Sequence, residues 1–204
     1  MELAFAILGG LGLASACGFR VFLPPFLTSL AAGGYLGAGV QTPLLESAQF
    51  EWLSDPNLTV ALGVATGLEI ASFYIPWIDN LLDTLATPAA IVAGALLSSA
   101  VLPESAGDGT TWLVTGIAGG GVAGVVQGAT VIARGISSLA TAGLGNPIIS
   151  TAEWLGALVT SILAMIAPFL ALAALLLGLG LFIRWWLKRR ADASRVQPAS
   201  PLEH

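Results

Sequence analysis

Apolar runs follow one another along this chain with few polar interruptions, and most are close to or beyond the ~20 residues a helix needs to cross ~30 Å of hydrocarbon. They divide it into six predicted segments, at residues 3–39, 58–77, 81–102, 111–145, 151–167 and 168–187. The first is nearly twice the needed length and contains Gly18, Arg20 and the pair Pro24-Pro25. Proline lacks the N–H that an interior turn requires, so this segment is expected to be a helix broken or bent inside the membrane. Pro168 separates the last two segments without a polar loop, and one long bent helix fits the same residues.

The polar interruptions are acidic. Residues 41–57 hold Glu46, Glu51 and Asp55, and residues 103–110 hold Glu104 and Asp108, with no cation in either loop. Between the second and third segments lies only Pro76-Trp77-Ile78-Asp79-Asn80. The preceding helix is expected to stop near Pro76, with Asp79 or Asn80 capping the next. Gly145-Asn146-Pro147 precedes the helix carrying Glu153, with Ser150 or Thr151 as its expected cap. The exposed N–H groups of such an end favour anions.

Composition turns this pattern into a class. Of the residues 56% are hydrophobic and 9% charged, against about 25% charged in soluble domains. The fold expected is all-α: a polytopic helical membrane protein forming one domain over residues 1–190, with a tail at 191–204. The tail ends in Leu202-Glu203-His204, which resembles the start of a purification tag, so no chemistry is assigned to the only histidine. A single cysteine, Cys17, excludes an internal disulfide. The residues before it, Ala14-Ser15-Ala16, have no basic segment ahead of them and are not read as a lipoprotein signal. Lys188, Arg189 and Arg190, with Arg184, place the C-terminus in the cytoplasm by the positive-inside rule. Six spans then put the N-terminus on the same side and both acidic loops on the other. Trp52, Trp112, Trp185 and Trp186 fit interfacial belts.

The two halves of the chain, about 1–102 and 111–190, echo each other. The first carries Arg20, Thr28-Ser29-Leu30-Ala31, Glu69 and Pro88-Ala89-Ala90-Ile91, and the second carries Arg134, Ser137-Ser138-Leu139-Ala140, Glu153 and Pro168-Phe169-Leu170-Ala171. Three spans per half would invert one half relative to the other, giving two inverted three-helix repeats with broken first helices and a site near the midplane. Gly116, Gly120, Gly124 and Gly128 recur every fourth residue and form a smooth helix face, suited to tight packing within the chain or to a homo-oligomer contact.

The charges inside apolar segments carry the functional reading. Between Val21 and Ile183 there is one cation, Arg134, against nine acids. An intramembrane charge costs ~2.5–3.5 kcal/mol by insertion scales, so such groups pair and are usually functional. Arg20 and Arg134 cannot deprotonate, and Glu69 and Glu153 are their expected partners. The alternative is a static set of buried ion pairs that only specifies the fold. Asp79 and Asp83 fall one turn apart and can hold a hydrated cation, with Asn80 and Thr84 as further oxygen donors, or can be a solvated helix start. Gln127, Thr130 and Ser15 are lesser polar points for the same cavity.

Gly18-Phe19-Arg20-Val21-Phe22-Leu23-Pro24, then Glu69 with Pro76-x-x-Asp79-Asn80-x-x-Asp83, then Arg134 followed by glycine and Asn146-Pro147, resemble a bacterial membrane family known as domain of unknown function 4126. The resemblance covers the chain to about Ala167. It implies an integral protein of the bacterial inner membrane and no activity.

The expected function is a small transporter or channel for an ion or small polar solute. Its site residues are Arg20, Glu69, Asp79, Asn80, Asp83, Arg134, Asn146 and Glu153. No cofactor is expected beyond a cation at Asp79 and Asp83, and no nucleic-acid stripe, phosphate loop or nucleophile triad is present. Two alternatives stand: a Mg²⁺-dependent membrane enzyme acting on a lipid phosphate through Asp79 and Asp83, and a non-catalytic scaffold using the glycine face.

Overall fold

The structure, a computed structural model, describes residues 2–37, 44, 48–72, 76–103, 106 and 109–195. Among these it is all-helical, in the order α1 (Glu2–Phe19), α2 (Leu23–Ala32), a 3-10 turn (Ala48–Ser54), α3 (Pro56–Ser72), α4 (Pro76–Ala100), α5 (Gly109–Thr141), α6 (Asn146–Ile166) and α7 (Pro168–Arg195). Among the described residues, three helices are long and apolar enough to cross a membrane: α5, α6 and the Pro168–Arg190 part of α7. Shorter apolar stretches cover Leu3–Phe19, Leu23–Ala32 and Leu85–Ala100. Helix α3, with 17 residues, reaches about 26 Å at 1.5 Å per residue. Helix α4 has 25 residues, of which Leu85–Ala100 is the described apolar part.

The break expected in the first segment falls where its prolines require it. Helix α1 ends at Phe19, Arg20 makes a last helical bond from its N–H to the Ala16 carbonyl at 3.0 Å, and α2 starts at Leu23 with Pro24 in its first turn. Proline is tolerated there because first-turn N–H groups have no helical partner. The second half departs from the expectation of a broken first helix. Helix α5 runs unbroken through Arg134 to Thr141, since no proline follows that arginine before Pro147. It ends in a turn with Gly143 at φ 87°, a left-handed conformation that glycine adopts without steric cost.

Two expected caps are also corrected. Helix α4 begins at Pro76, so Asp79 and Asn80 lie inside its first turns rather than at its cap; proline's fixed φ suits the first helical position. Helix α6 is preceded by Gly145 as its capping residue, so Ser150 and Thr151 are interior, and the Thr151 hydroxyl donates to the Pro147 carbonyl at 2.8 Å. Helices α6 and α7 are separate, divided at Ala167, whose φ of −146° and ψ of 72° leave the helical region.

Helix α1 occupies the centre and packs against α4, α5, α6 and α7. Glycines allow this closeness. A Cβ on Gly10 would sit 2.8 Å from the Ser98 carbonyl oxygen, and one on Gly18 would sit 2.6 Å from Val126 Cβ. Three members of the four-residue glycine stripe, Gly116, Gly120 and Gly124, face Ser99 or Ile91 of α4, whereas a Cβ on Gly128 meets nothing within 4 Å. The stripe therefore serves chiefly to pack α5 on α4.

Polarity is inverted relative to a water-soluble protein. Ser15, Thr28, Ser29, Ser98, Gln127 and Ser161 are buried, while Leu85, Leu96, Ile117, Leu176 and Leu177 face outward. Lipid suits those outer faces, and most inner hydroxyls are satisfied within the protein, Thr66 Oγ1 being a buried exception among the described residues. Ser98 donates to the Thr115 carbonyl at 3.0 Å, tying α4 to α5, and Ser29 donates to the Leu53 carbonyl at 2.6 Å, tying α2 to the 3-10 turn.

Overpacking a core contact costs roughly 1–3 kcal/mol, whereas removing an unneeded helical glycine gains about 0.5–1 kcal/mol. Gly10→Val is expected to lower the thermal unfolding midpoint in detergent by several degrees, while Gly128→Ala holds or raises it. Equal effects of the two would contradict the close α1–α4 approach.

Candidate functional site

The chain break after α1 creates the site. With Pro24 and Pro25 barring a continuous helix, the N–H groups of Val21 and Phe22 need acceptors, and burial without one costs at least a lost hydrogen bond. Glu69 of α3 supplies both. Its Oε1 accepts from Val21 N–H at 2.9 Å and its Oε2 from Phe22 N–H at 3.3 Å. The Ser72 hydroxyl, one turn on, donates to the Glu69 carbonyl at 2.7 Å.

The break also directs Arg20 across the protein to α6. One guanidinium nitrogen donates to Glu153 Oε2 at 2.9 Å and to the Ser150 carbonyl at 3.3 Å. Arg134 of α5 reaches the same carboxylate from its own side, with Nε donating to Glu153 Oε1 at 3.0 Å and a terminal nitrogen to Oε2. Arg20, Arg134 and Glu153 are only 5%, 7% and 4% exposed, so the cluster is shielded from the surroundings of the helices. Charge-assisted, two-pronged pairing of this kind is the strongest that Arg makes with a carboxylate.

Two cavities flank the cluster. The first, of about 270 Å³, is bounded by the break, α3, α4 and α5, and among the described residues its polar lining comes from Arg20, Glu69, Ser72, Gln127 and Arg134. The second, of about 370 Å³, lies between α1, α5, α6 and α7, and Glu153, Thr130 and Thr160 are its polar members. Phe19 borders both.

Of the sequence-predicted residues, Arg20, Arg134 and Glu153 pair with one another, and Glu69 lines the first cavity beside the two arginines. Both arginines bind Glu153, and Glu69 is held by backbone. Asn146 stands apart, its side-chain amide donating to Ser138 Oγ at 3.0 Å across the α5–α6 turn. Asp79, Asn80 and Asp83 lie in the first turns of α4, and their side chains, with that of Thr84, fall outside the described residues. Gln127 joins the first cavity and Thr130 the second, whereas Ser15 donates to the Gly12 carbonyl of its own helix at 2.7 Å. Pattern reading passed over the Val21 and Phe22 N–H groups and Phe19. The Pro24-Pro25 pair was the available signal for the first two.

Apolar outward faces, long apolar helices and a buried charged cluster define a helical membrane protein with a polar interior. The chain belongs to the family described as domain of unknown function (DUF4126), whose model matches residues 7–188. No curated protein and no solved structure matches it.

Removing one partner of a buried pair costs about 3–5 kcal/mol, because the other charge is left uncompensated. Glu153→Gln takes a shared carboxylate from two guanidinium groups, whereas Arg134→Met leaves Glu153 with Arg20. The first is therefore expected to lower the unfolding midpoint in detergent more than the second. A larger loss for Arg134→Met would contradict the shared carboxylate.

Proposed function

We propose that this protein is a small membrane transporter or channel that moves an ion or small polar solute, not an enzyme, and that Glu69 is its exchange group. One observation carries this reading: Glu69 lines a cavity with Arg20 and Arg134 while its carboxylate accepts from two backbone N–H groups and, among the described residues, closes no ion pair. Such a carboxylate can take up a proton or yield its place without stranding a partner charge. Glu153, saturated by two arginines, has the opposite character and is suited to fixing the fold.

Our reading of the architecture keeps two related halves, α1–α4 and α5–α7, with Arg20 and Arg134, and Glu69 and Glu153, as counterparts. Six membrane crossings and an inverted second half are consistent with α1 and α2 acting as one broken span. The C-terminus is placed in the cytoplasm of a bacterial inner membrane. Arg189 stacks 4.6 Å from the ring centre of Trp185, and Arg190 4.0 Å from that of Trp186, a pairing suited to the headgroup layer.

In proteoliposomes with a pH-sensitive dye and a panel of ion gradients, the native protein is expected to carry protons or charge, and Glu69→Gln to lose proton movement. Identical proton flux in both would remove Glu69 from the mechanism.

A further inference from the structure

Helix α7 leaves a gap beside the charged cluster. Among the described residues it packs against α1 and α6 but scarcely touches α5, and the space left between them is the second cavity, of about 370 Å³. Small residues open it: Ala129 and Ala133 on α5, Ala152 and Gly156 on α6, Ala174 and Gly178 on α7. A Cβ on Gly178 would meet nothing within 4 Å. Glu153, part of the wall, is buried with its carboxylate engaged by arginines, and the Thr130 hydroxyl donates to the Gln127 carbonyl of its own helix at 2.9 Å. What the gap offers an occupant is therefore chiefly apolar.

Toward the C-terminal end of α7 the gap becomes polar. Ala133, Ile149 and Phe182 line both this cavity and a third one, of about 530 Å³, which also takes in Ser137, Trp185 and Arg189. Together the two follow α5 from Val126 to Thr141 and α7 from Ala174 to Arg189, about 22 Å in each case at 1.5 Å per residue. Half of a bilayer with its headgroup layer measures about 20–22 Å. The gap has the length of one leaflet.

Charge at its mouth has one sign. Residues 135–152, which form the α5 and α6 side, contain no charged residue, and the end of α7 brings Arg184, Lys188, Arg189 and Arg190 against one acid, Asp192. Helix α4, with Asp79 and Asp83 in its first turns, packs along Gly116, Gly120 and Gly124, on the opposite face of α5 from Ala129 and Ala133. Arg189 lies over the Trp185 ring, 4.6 Å from its centre, and the Ser137 hydroxyl and the Trp185 indole N–H are further donors at the mouth.

We propose that this gap binds one anionic glycerophospholipid, with an acyl chain between α5 and α7 and its phosphate at Arg189 and Ser137. Apolar walls suit a hydrocarbon chain and not water, and filling the void restores dispersion contacts that empty space forfeits. The phosphate takes charge-assisted hydrogen bonds from Arg189, and the basic surroundings favour an anionic headgroup over a zwitterionic one. A transmembrane helix ~10 Å across would need on the order of 1,700 Å³ over that length, more than both cavities provide. The lipid thus supplies the contact that α7 lacks with α5. This inference stands apart from the transport reading and needs only that the helices lie in a membrane.

The test uses the full chain in detergent, followed by native mass spectrometry and thermal unfolding after addition of phosphatidylglycerol or phosphatidylcholine with the same acyl chains. One phosphatidylglycerol should stay bound per chain and should raise the unfolding midpoint more than phosphatidylcholine does. Gly178→Leu fills the gap and should abolish the retained lipid. Gly180→Leu, on α7 but lining neither cavity, should bind as the native chain does. Arg189→Gln should weaken phosphatidylglycerol binding about fivefold, the weight of one basic residue near an anionic headgroup, and leave phosphatidylcholine unchanged. This exposed position decides the matter even if Gly178→Leu folds poorly. Equal retention of the two lipids by the native chain would overturn the charged mouth. Retention by Gly178→Leu equal to that of the native chain would place the lipid elsewhere and overturn the site. A dimer that Gly178→Leu disrupts, with no lipid retained, would overturn it in favour of a second copy of the chain.

Discussion

One carboxylate, that of Glu153, holds the buried centre of this protein together. Two guanidinium groups cannot lose their charge, and neither would be tolerated in an apolar interior without a counterion. Glu153 meets both, drawing the end of α1 and the C-terminal third of α5 onto α6. The placement of Arg20 in turn depends on the chain break, since a helix continuing past Phe19 would carry its side chain onward around α1. The break depends on Pro24 and Pro25. A local property of two residues thus sets which groups can meet across more than a hundred positions of sequence.

The same break separates the two glutamates into different physical situations. Glu153 is bound by permanent charges from both sides, which holds it in place. Glu69 satisfies two backbone N–H groups, a role that water or another anion can fill at modest cost. In the function proposed above, this difference divides the labour: one acid fixes the scaffold and the other exchanges. The apolar Phe19 stands between the cavities on which the two acids open, so the charged cluster and this ring form the partition of the interior.

Much of this was legible in the sequence. Long apolar runs gave the helical membrane class, the paired prolines gave the break, and four isolated charges named the centre. The pairing scheme was not legible. The sequence named both glutamates as partners of the arginines without saying which, and Pro24-Pro25 has no counterpart after Arg134, so α5 continues and the two arginines approach α6 from neighbouring elements. Helix starts at Pro76 and Asn146 were misplaced for a related reason: hydroxyl and carboxylate residues look like caps, but a proline one or two residues into a helix fixes its start more strongly. The glycine stripe was ambiguous until α4 was seen lying along it. Asp79 and Asp83 keep their sequence reading, one turn apart on α4.

The central claim is that Arg20 and Glu153, 133 positions apart in the chain, are energetically coupled. A double-mutant cycle of Arg20→Met and Glu153→Gln, measured by chemical denaturation in detergent or lipid, isolates that coupling from the separate cost of each change. The interaction described here predicts a coupling of about 1.5 kcal/mol or more, as found for close charge pairs. A coupling indistinguishable from zero, with the two losses simply adding, would contradict it.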